Sequence, residues 1–317
     1  MNEHSKLWAW RLAKALLAAA ILVGIGRQFY HDLSQADDPD KPDLSRLELR
    51  PAWLALSGGL YLLALSLSAC YWYRLLGIFG TRPPFLKAYR AYFLGQLGKY
   101  VPGKAWALLL RGTLVSGPEV RLGVAIITAF YEVLTTMAAG ALIAALVFLS
   151  APPPAAHLEW HPHFIGLMLL GLCGLPLLPG VFNFLTQRMA NRFAHIDSLH
   201  LPRIRFAILA EGILLTACGW GLLGLSVWAM LQGVLSDPPA LTWATWAQFC
   251  GSIGLAYVAG FLAFMLPSGV GVREYILRRL LSFAGPDKGI AAAVLLLRLV
   301  WTTAELILAG VVFFLRK

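Results

Sequence analysis

Apolar runs of about 20 residues recur along this 317-residue chain, and no other feature constrains its fold as strongly. A helix of that length covers about 30 Å, the thickness of a bilayer's hydrocarbon core. Backbone N–H and C=O groups find no water there, so each run is read as a helix that satisfies them internally. With 59% of residues hydrophobic and 13% charged, no interval is long enough for a separate soluble domain. No phosphate loop, zinc-ligand spacing or GxSxG elbow occurs. The expectation is an all-α polytopic membrane protein of about seven to eight transmembrane helices, a single unit over residues 1–317, with no catalytic residue, metal or cofactor.

One stretch breaks the apolar pattern. Tyr92 to Gly112, YFLGQLGKYVPGKAWALLLRG, carries Lys99, Lys104 and Arg111 and is interrupted by Gly95, Gly98, Pro102 and Gly103. Non-helical backbone at membrane depth needs protein or a water-filled cavity around it, so the stretch is read as a re-entrant helical hairpin. Its second arm would start at Pro102, where proline's missing N–H is harmless. The free amides there, with Lys99 and Lys104, would form a site for an anion, most simply a phosphate. A plainer reading is that these are ordinary positive charges beside a span. A second basic, glycine-broken element, PSGVGVREYILRRLL from Pro267 to Leu281, contains Gly269, Gly271, Arg273, Glu274, Arg278 and Arg279.

Charge distribution orders the spans. The first would run from about Trp10 to Phe29, followed by a loop acidic on balance, between Asp32 and Glu48. The second, about Ala52 to Tyr73, leads to a segment with Arg74, Arg82, Lys87, Arg90, Lys99, Lys104 and Arg111 and no acidic residue, the strongest inside signal in the chain. The N-terminus is therefore expected in the cytoplasm. Further spans are expected at about 122–149, 164–185 (broken by Pro176 and Pro179), 206–231, 242–266 and 289–315. Seven spans would leave the C-terminus outside, yet Arg316 and Lys317 favour the inside, which needs an eighth.

The outer loop from Ala151 to His163 holds His157, His161 and His163, which have no Cys or Asp partner nearby and are read as solvated. Cys70, Cys173, Cys218 and Cys250 are scattered singly and read as packing residues. The net charge of +10 sits in loops flanking spans, which points to anionic lipid head groups and away from nucleic acid.

Placing Pro102 over Pro267 aligns two similar stretches, about 83–149 and 248–315, as an internal repeat. Repeats in transporters commonly enclose substrate between them near the midplane; a parallel or an inverted relation is open, and a chance resemblance between apolar stretches is the rival. In this register Glu132 falls opposite Arg298. Glu132 lies eleven residues past Arg121 and Arg298 ten past Lys288, so both should sit about 15–16 Å deep. A lone charge at that depth is costly, and pairing the two would offset much of the cost. Arg298, Trp301, Thr302 and Glu305 share one helical face, as do Glu132, Thr135, Thr136 and Gly140. A static pair that only fixes helix packing is the plainer alternative.

The two broken motifs together resemble the flippase-like transmembrane region of the lysylphosphatidylglycerol synthase family, known in fused form as the multiple peptide resistance factor. The family's first motif corresponds to Gly98, Lys99, Tyr100, Pro102 and Gly103, its second to Pro267, Gly269, Gly271, Arg273 and Glu274, and its span glutamate to Glu132. Ser268 stands where glycine is usual, and Val133 where arginine is common. The soluble aminoacyltransferase domain of the fused members is missing from this sequence. The resemblance therefore implies lipid translocation in the cytoplasmic (inner) membrane and argues against synthase activity.

The resulting expectation is movement of an anionic or phosphate-bearing lipid or lipid-linked precursor. Lys99, Lys104, Arg111, Glu132, Arg273, Glu274 and Arg298 would bind substrate, and Gly98, Pro102, Gly103, Pro267, Gly269 and Gly271 would shape the hairpins. The expected partners are membrane lipids, with self-association or a lipid-synthesis partner left open. Two rivals remain: an integral-membrane transferase using Glu132, Glu211 or Glu274 as general base on a lipid-linked donor, and a non-catalytic subunit of a lipid-modifying complex.

Overall fold

The computed structural model describes residues 48–100, 105–150, 167–168, 170–172, 174–192, 204–262 and 271–314. The expected first span and the acidic loop after it lie outside these residues, as do the loop holding His157, His161 and His163, and Pro102, Gly103, Lys104, Cys173, Pro267, Gly269, Arg316 and Lys317.

Every regular element among the described residues is helical. The first helix, α1, runs Pro51–Ile78 with proline in its first turn, where the ring's fixed φ suits a helix start. Then come α2 at Phe85–Gln96, continued by one 3-10 turn Leu97–Tyr100, α3 at Ala105–Val115 and α4 at Leu122–Ser150. A 3-10 turn Leu175–Leu177 precedes α5, Pro179–Arg192, so regular α-helix is interrupted there and resumes at Pro179. The remainder is α6 at Phe206–Val234, α7 at Trp243–Leu262, α8 at Val272–Leu280 and α9 at Asp287–Phe314.

Among the described helices, α1, α4, α6 and α9 are long and apolar enough to cross a membrane. The 20-residue α7 carries no charged residue and is about 30 Å long. By contrast α2 and α3, with 12 and 11 residues, reach only about 16–18 Å each. They form an antiparallel hairpin: Gly95 faces Arg111, and Gly98 faces Ala107. A Cβ on Gly98 would lie 2.7 Å from the Ala107 backbone, so only glycine lets the arms approach this closely.

The packing interlocks the two ends of the chain. The span that follows the first hairpin, α4, packs on α7, and the span that follows α8, α9, packs on α2 and on α1. Helix α6 runs along α1 and touches α4, α7 and α9. An aromatic cluster ties the centre: Tyr61 of α1 stacks on Trp301 of α9 with centroids 4.3 Å apart, and Tyr257 of α7 lies 6.1 Å from Trp301 and 5.8 Å from Trp220. Ser226 accepts the Trp301 indole N–H at 2.9 Å and meets Ser57 Oγ at 2.9 Å, so these buried polar groups satisfy one another.

Both polar stripes face inward. Arg298, Trp301, Thr302 and Glu305 are all buried, as are Glu132, Thr135 and Gly140. Of the cysteines, Cys250 is buried, whereas Cys70 and Cys218 are exposed and so are not the packing residues expected.

Candidate functional site

A cavity of 510 Å³ with mostly apolar walls lies between α1, α2, α3, α4, α6 and α7, and Arg273 of α8 closes part of it. Both broken elements supply cations to it: Lys99 and Arg111 from the first hairpin, and Arg273 from the second element. Glu132 also lines it, with Gln96, Thr136 and the rings of Tyr61, Tyr92 and Tyr257.

Each cation is held by a carboxylate and rests near a tyrosine ring. Arg111 Nη1 lies 2.6 Å from Glu132 Oε2, with side chains 2% and 3% exposed. Its guanidinium sits 3.9 Å above the Tyr92 ring, and Nη2 donates to Gln96 Oε1 at 3.1 Å. Weaker donors complete Glu132: Thr136 Oγ1 at 3.3 Å and the Tyr92 hydroxyl at 3.4 Å. The spacing of Glu132 from Arg111 follows from the hairpin, whose second arm turns directly into α4.

Arg273 and Arg298 share Glu274, with contacts of 3.0 and 2.8 Å to the same oxygen. The other oxygen of Glu274 accepts the Gly271 amide at 2.8 Å, capping the first turn of α8. Gly271 has φ +85°, left-handed backbone that favours glycine and lets the chain turn into α8. The Arg273 guanidinium lies 4.9 Å from the Tyr257 ring. Desolvated cations over aromatic faces gain from the ring quadrupole as well as from their ion pairs.

Lys99 pairs with Glu305 of α9 across the end of the first hairpin. Glu305 also accepts from the Tyr61 hydroxyl, and from the Tyr100 hydroxyl at 2.9 Å. The Lys99 side chain is 24% exposed, and that of Glu305 2%.

The expected pairing of Glu132 with Arg298 is overturned. Glu132 binds Arg111, and Arg298 lies against Glu274, so each charge is neutralised within its own hairpin-and-span unit. Equal depth did not bring the two together because each finds a partner on the short helix that precedes its span. Of the expected binding residues, Lys99, Arg111, Glu132 and Arg273 line the cavity, and Glu274 and Arg298 stand behind Arg273. Lys104 lies outside the described residues. Glu211 is remote in character: it forms an exposed pair with Arg74 at 3.0 Å. Glu305 and the tyrosines Tyr61, Tyr92 and Tyr257 were not among the expected site residues, although the stripe containing Glu305 pointed inward.

The sequence profile of the lysylphosphatidylglycerol synthase transmembrane region matches residues 9–310. The chain belongs to this family. No curated protein sequence matches it. Family membership makes it a membrane protein with a lipid-related role. Lys99 and Arg273 line the cavity, Tyr100 donates to the Glu305 that holds Lys99, and Glu274, tied to the Gly271 amide, holds Arg273.

Proposed function

We propose that this family member moves a phosphate-bearing lipid across the cytoplasmic membrane, holding the head group in the cavity while the acyl chains stay in the bilayer. One observation carries the reading: two separate broken elements direct Lys99, Arg111 and Arg273 into a single cavity with mostly apolar walls. Phosphate oxygens accept charge-assisted hydrogen bonds from such groups, and Arg offers a planar fork suited to them. The carboxylates of Glu132, Glu274 and Glu305 offset the cost of holding these cations away from water. The two short-armed elements act as re-entrant hairpins open to the cytoplasmic side, with the N-terminus in the cytoplasm.

The units at about 83–149 and 248–315 are read as related halves. Support comes from a shared construction. In each, the short helix before a span is ion-paired to that span, Arg111 to Glu132 in one and Glu274 to Arg298 in the other, with the signs exchanged.

The test is reconstitution into liposomes with head-group-labelled phosphatidylglycerol and phosphatidylcholine, following transbilayer movement by quenching and lipid mass by spectrometry. Faster movement of the phosphatidylglycerol than in protein-free liposomes, with unchanged lipid mass, is expected. Arg273→Gln should slow it and Arg74→Gln should not. A modified lipid product would favour a transferase, and neither movement nor product would overturn the reading in favour of a subunit role.

A further inference from the structure

We propose that Glu305 acts as an internal counter-anion that occupies the phosphate's place on Lys99, so that head group and carboxylate compete for one lysine. The inference rests on the reading of the cavity as a phosphate-lipid site. Lys99 stands at its boundary: the side chain lines the cavity and is 24% exposed, while Glu305 behind it is 2% exposed and does not line the cavity.

The three cavity cations differ in what their departure leaves behind. If Arg111 turned to a ligand, Glu132 would keep only its contacts to Thr136 and Tyr92, at 3.3 and 3.4 Å. That strands a buried carboxylate. If Lys99 turned, Glu305 would keep the Tyr61 and Tyr100 hydroxyls. Two good donors are enough to hold a desolvated carboxylate in place. Lysine is also the better residue for such a handover, since its ammonium is a rotatable point donor on a flexible stem.

Arg273 differs again. Its partner Glu274 is its own neighbour in sequence and keeps Arg298 and the Gly271 amide, so releasing Arg273 breaks no ion pair between distant elements. Lys99–Glu305 joins the tip of the first hairpin to α9. Transfer of Lys99 from Glu305 to a phosphate therefore removes one of the ties between that hairpin and α9 as the head group binds, while the Tyr100 hydroxyl keeps its bonds to Glu305 and Thr302, and this gives binding a differential effect on two arrangements of the protein.

The test is calorimetric binding of dihexanoyl phosphatidylglycerol to the full chain in neutral detergent. Glu305→Gln keeps an acceptor for both tyrosines and removes the competing charge. It should tighten binding about tenfold, the order set by one charge-assisted hydrogen bond. Tyr100→Phe, which takes one donor from Glu305 and leaves it gripping Lys99 harder, should weaken binding several-fold, and serves where Glu305→Gln does not fold. A Glu305 that only supports packing would leave both affinities unchanged, and that outcome overturns the proposal, as does absence of binding to the wild type. Transport in liposomes separates the two readings. Wild-type transport with unchanged Glu305→Gln affinity removes the competition and keeps the transporter. Tighter binding without wild-type transport keeps the competition and removes the transporter.

Discussion

Arg111 Nη1 and Glu132 Oε2 are 2.6 Å apart, and both side chains are almost fully buried. The arginine comes from the returning arm of a hairpin too short to cross a bilayer, the glutamate from the long span that follows. The pair thus fastens a half-length element to a full-length one.

Breaking this pair should be costly, because the survivor is left charged in a low-dielectric setting. Glu132→Gln and Arg111→Gln are each expected to destabilise by about 3–5 kcal/mol. Exchanging the two charges should recover a substantial part of either loss. Denaturant unfolding of the two single variants and the exchange, in detergent, measures this. No recovery in the exchange would show that the site tolerates only one orientation of the pair.

The exchange of Glu132 with Arg298 has the opposite expectation. Glu132→Arg would face Arg111, and Arg298→Glu would face Glu274. The double variant should be less stable than either single one, and an unfolding midpoint above both would contradict the pairing described here.

Gly98 sets the spacing of the first hairpin. Gly98→Ala would place a methyl 2.7 Å from the Ala107 backbone, which must shift. Overpacking of this kind costs about 1–3 kcal/mol. Gly59→Ala, on an exposed face of α1 with nothing within 4 Å, serves as the control and should be neutral or slightly stabilising. A difference of several degrees in melting temperature between the two is the expected reading.

Glu274 and Glu211 both pair with arginine, yet their removal should differ sharply. Glu211 and Arg74 are 39% and 63% exposed, and such pairs contribute about 0–1 kcal/mol. Glu274→Gln takes a carboxylate charge from beside Arg298, 3% exposed, and weakens the cap on Gly271. Its loss should fall in the range of a broken buried pair, about 3–5 kcal/mol. Equal melting curves for Glu274→Gln and Glu211→Gln would refute the distinction.

The inward faces of α4 and α9 were legible in the sequence, because the helical period places Glu132, Thr135 and Gly140, or Arg298, Trp301, Thr302 and Glu305, on one side whatever the helix packs against. The breaks before α5 were legible for the same local reason. Which charge meets which was not. Depth along a helix is one coordinate, and Glu132 and Arg298 were expected to share it. Which charge each meets is set by how α3 folds back on α4 and α8 on α9, which the helical period does not carry. Glu305 escaped notice as a site residue because its partners, Tyr61 and Lys99, lie 244 and 206 positions away.

That last separation has a consequence in time. Arg111 reaches Glu132 across 21 residues, so the ribosome supplies both within seconds. Lys99 must wait for Glu305, 206 residues later, which at about 5–20 residues per second is roughly 10–40 s of synthesis. Through that interval Lys99 cannot rest against Glu305, so its ammonium needs another source of solvation, water or a lipid phosphate, until α9 is made.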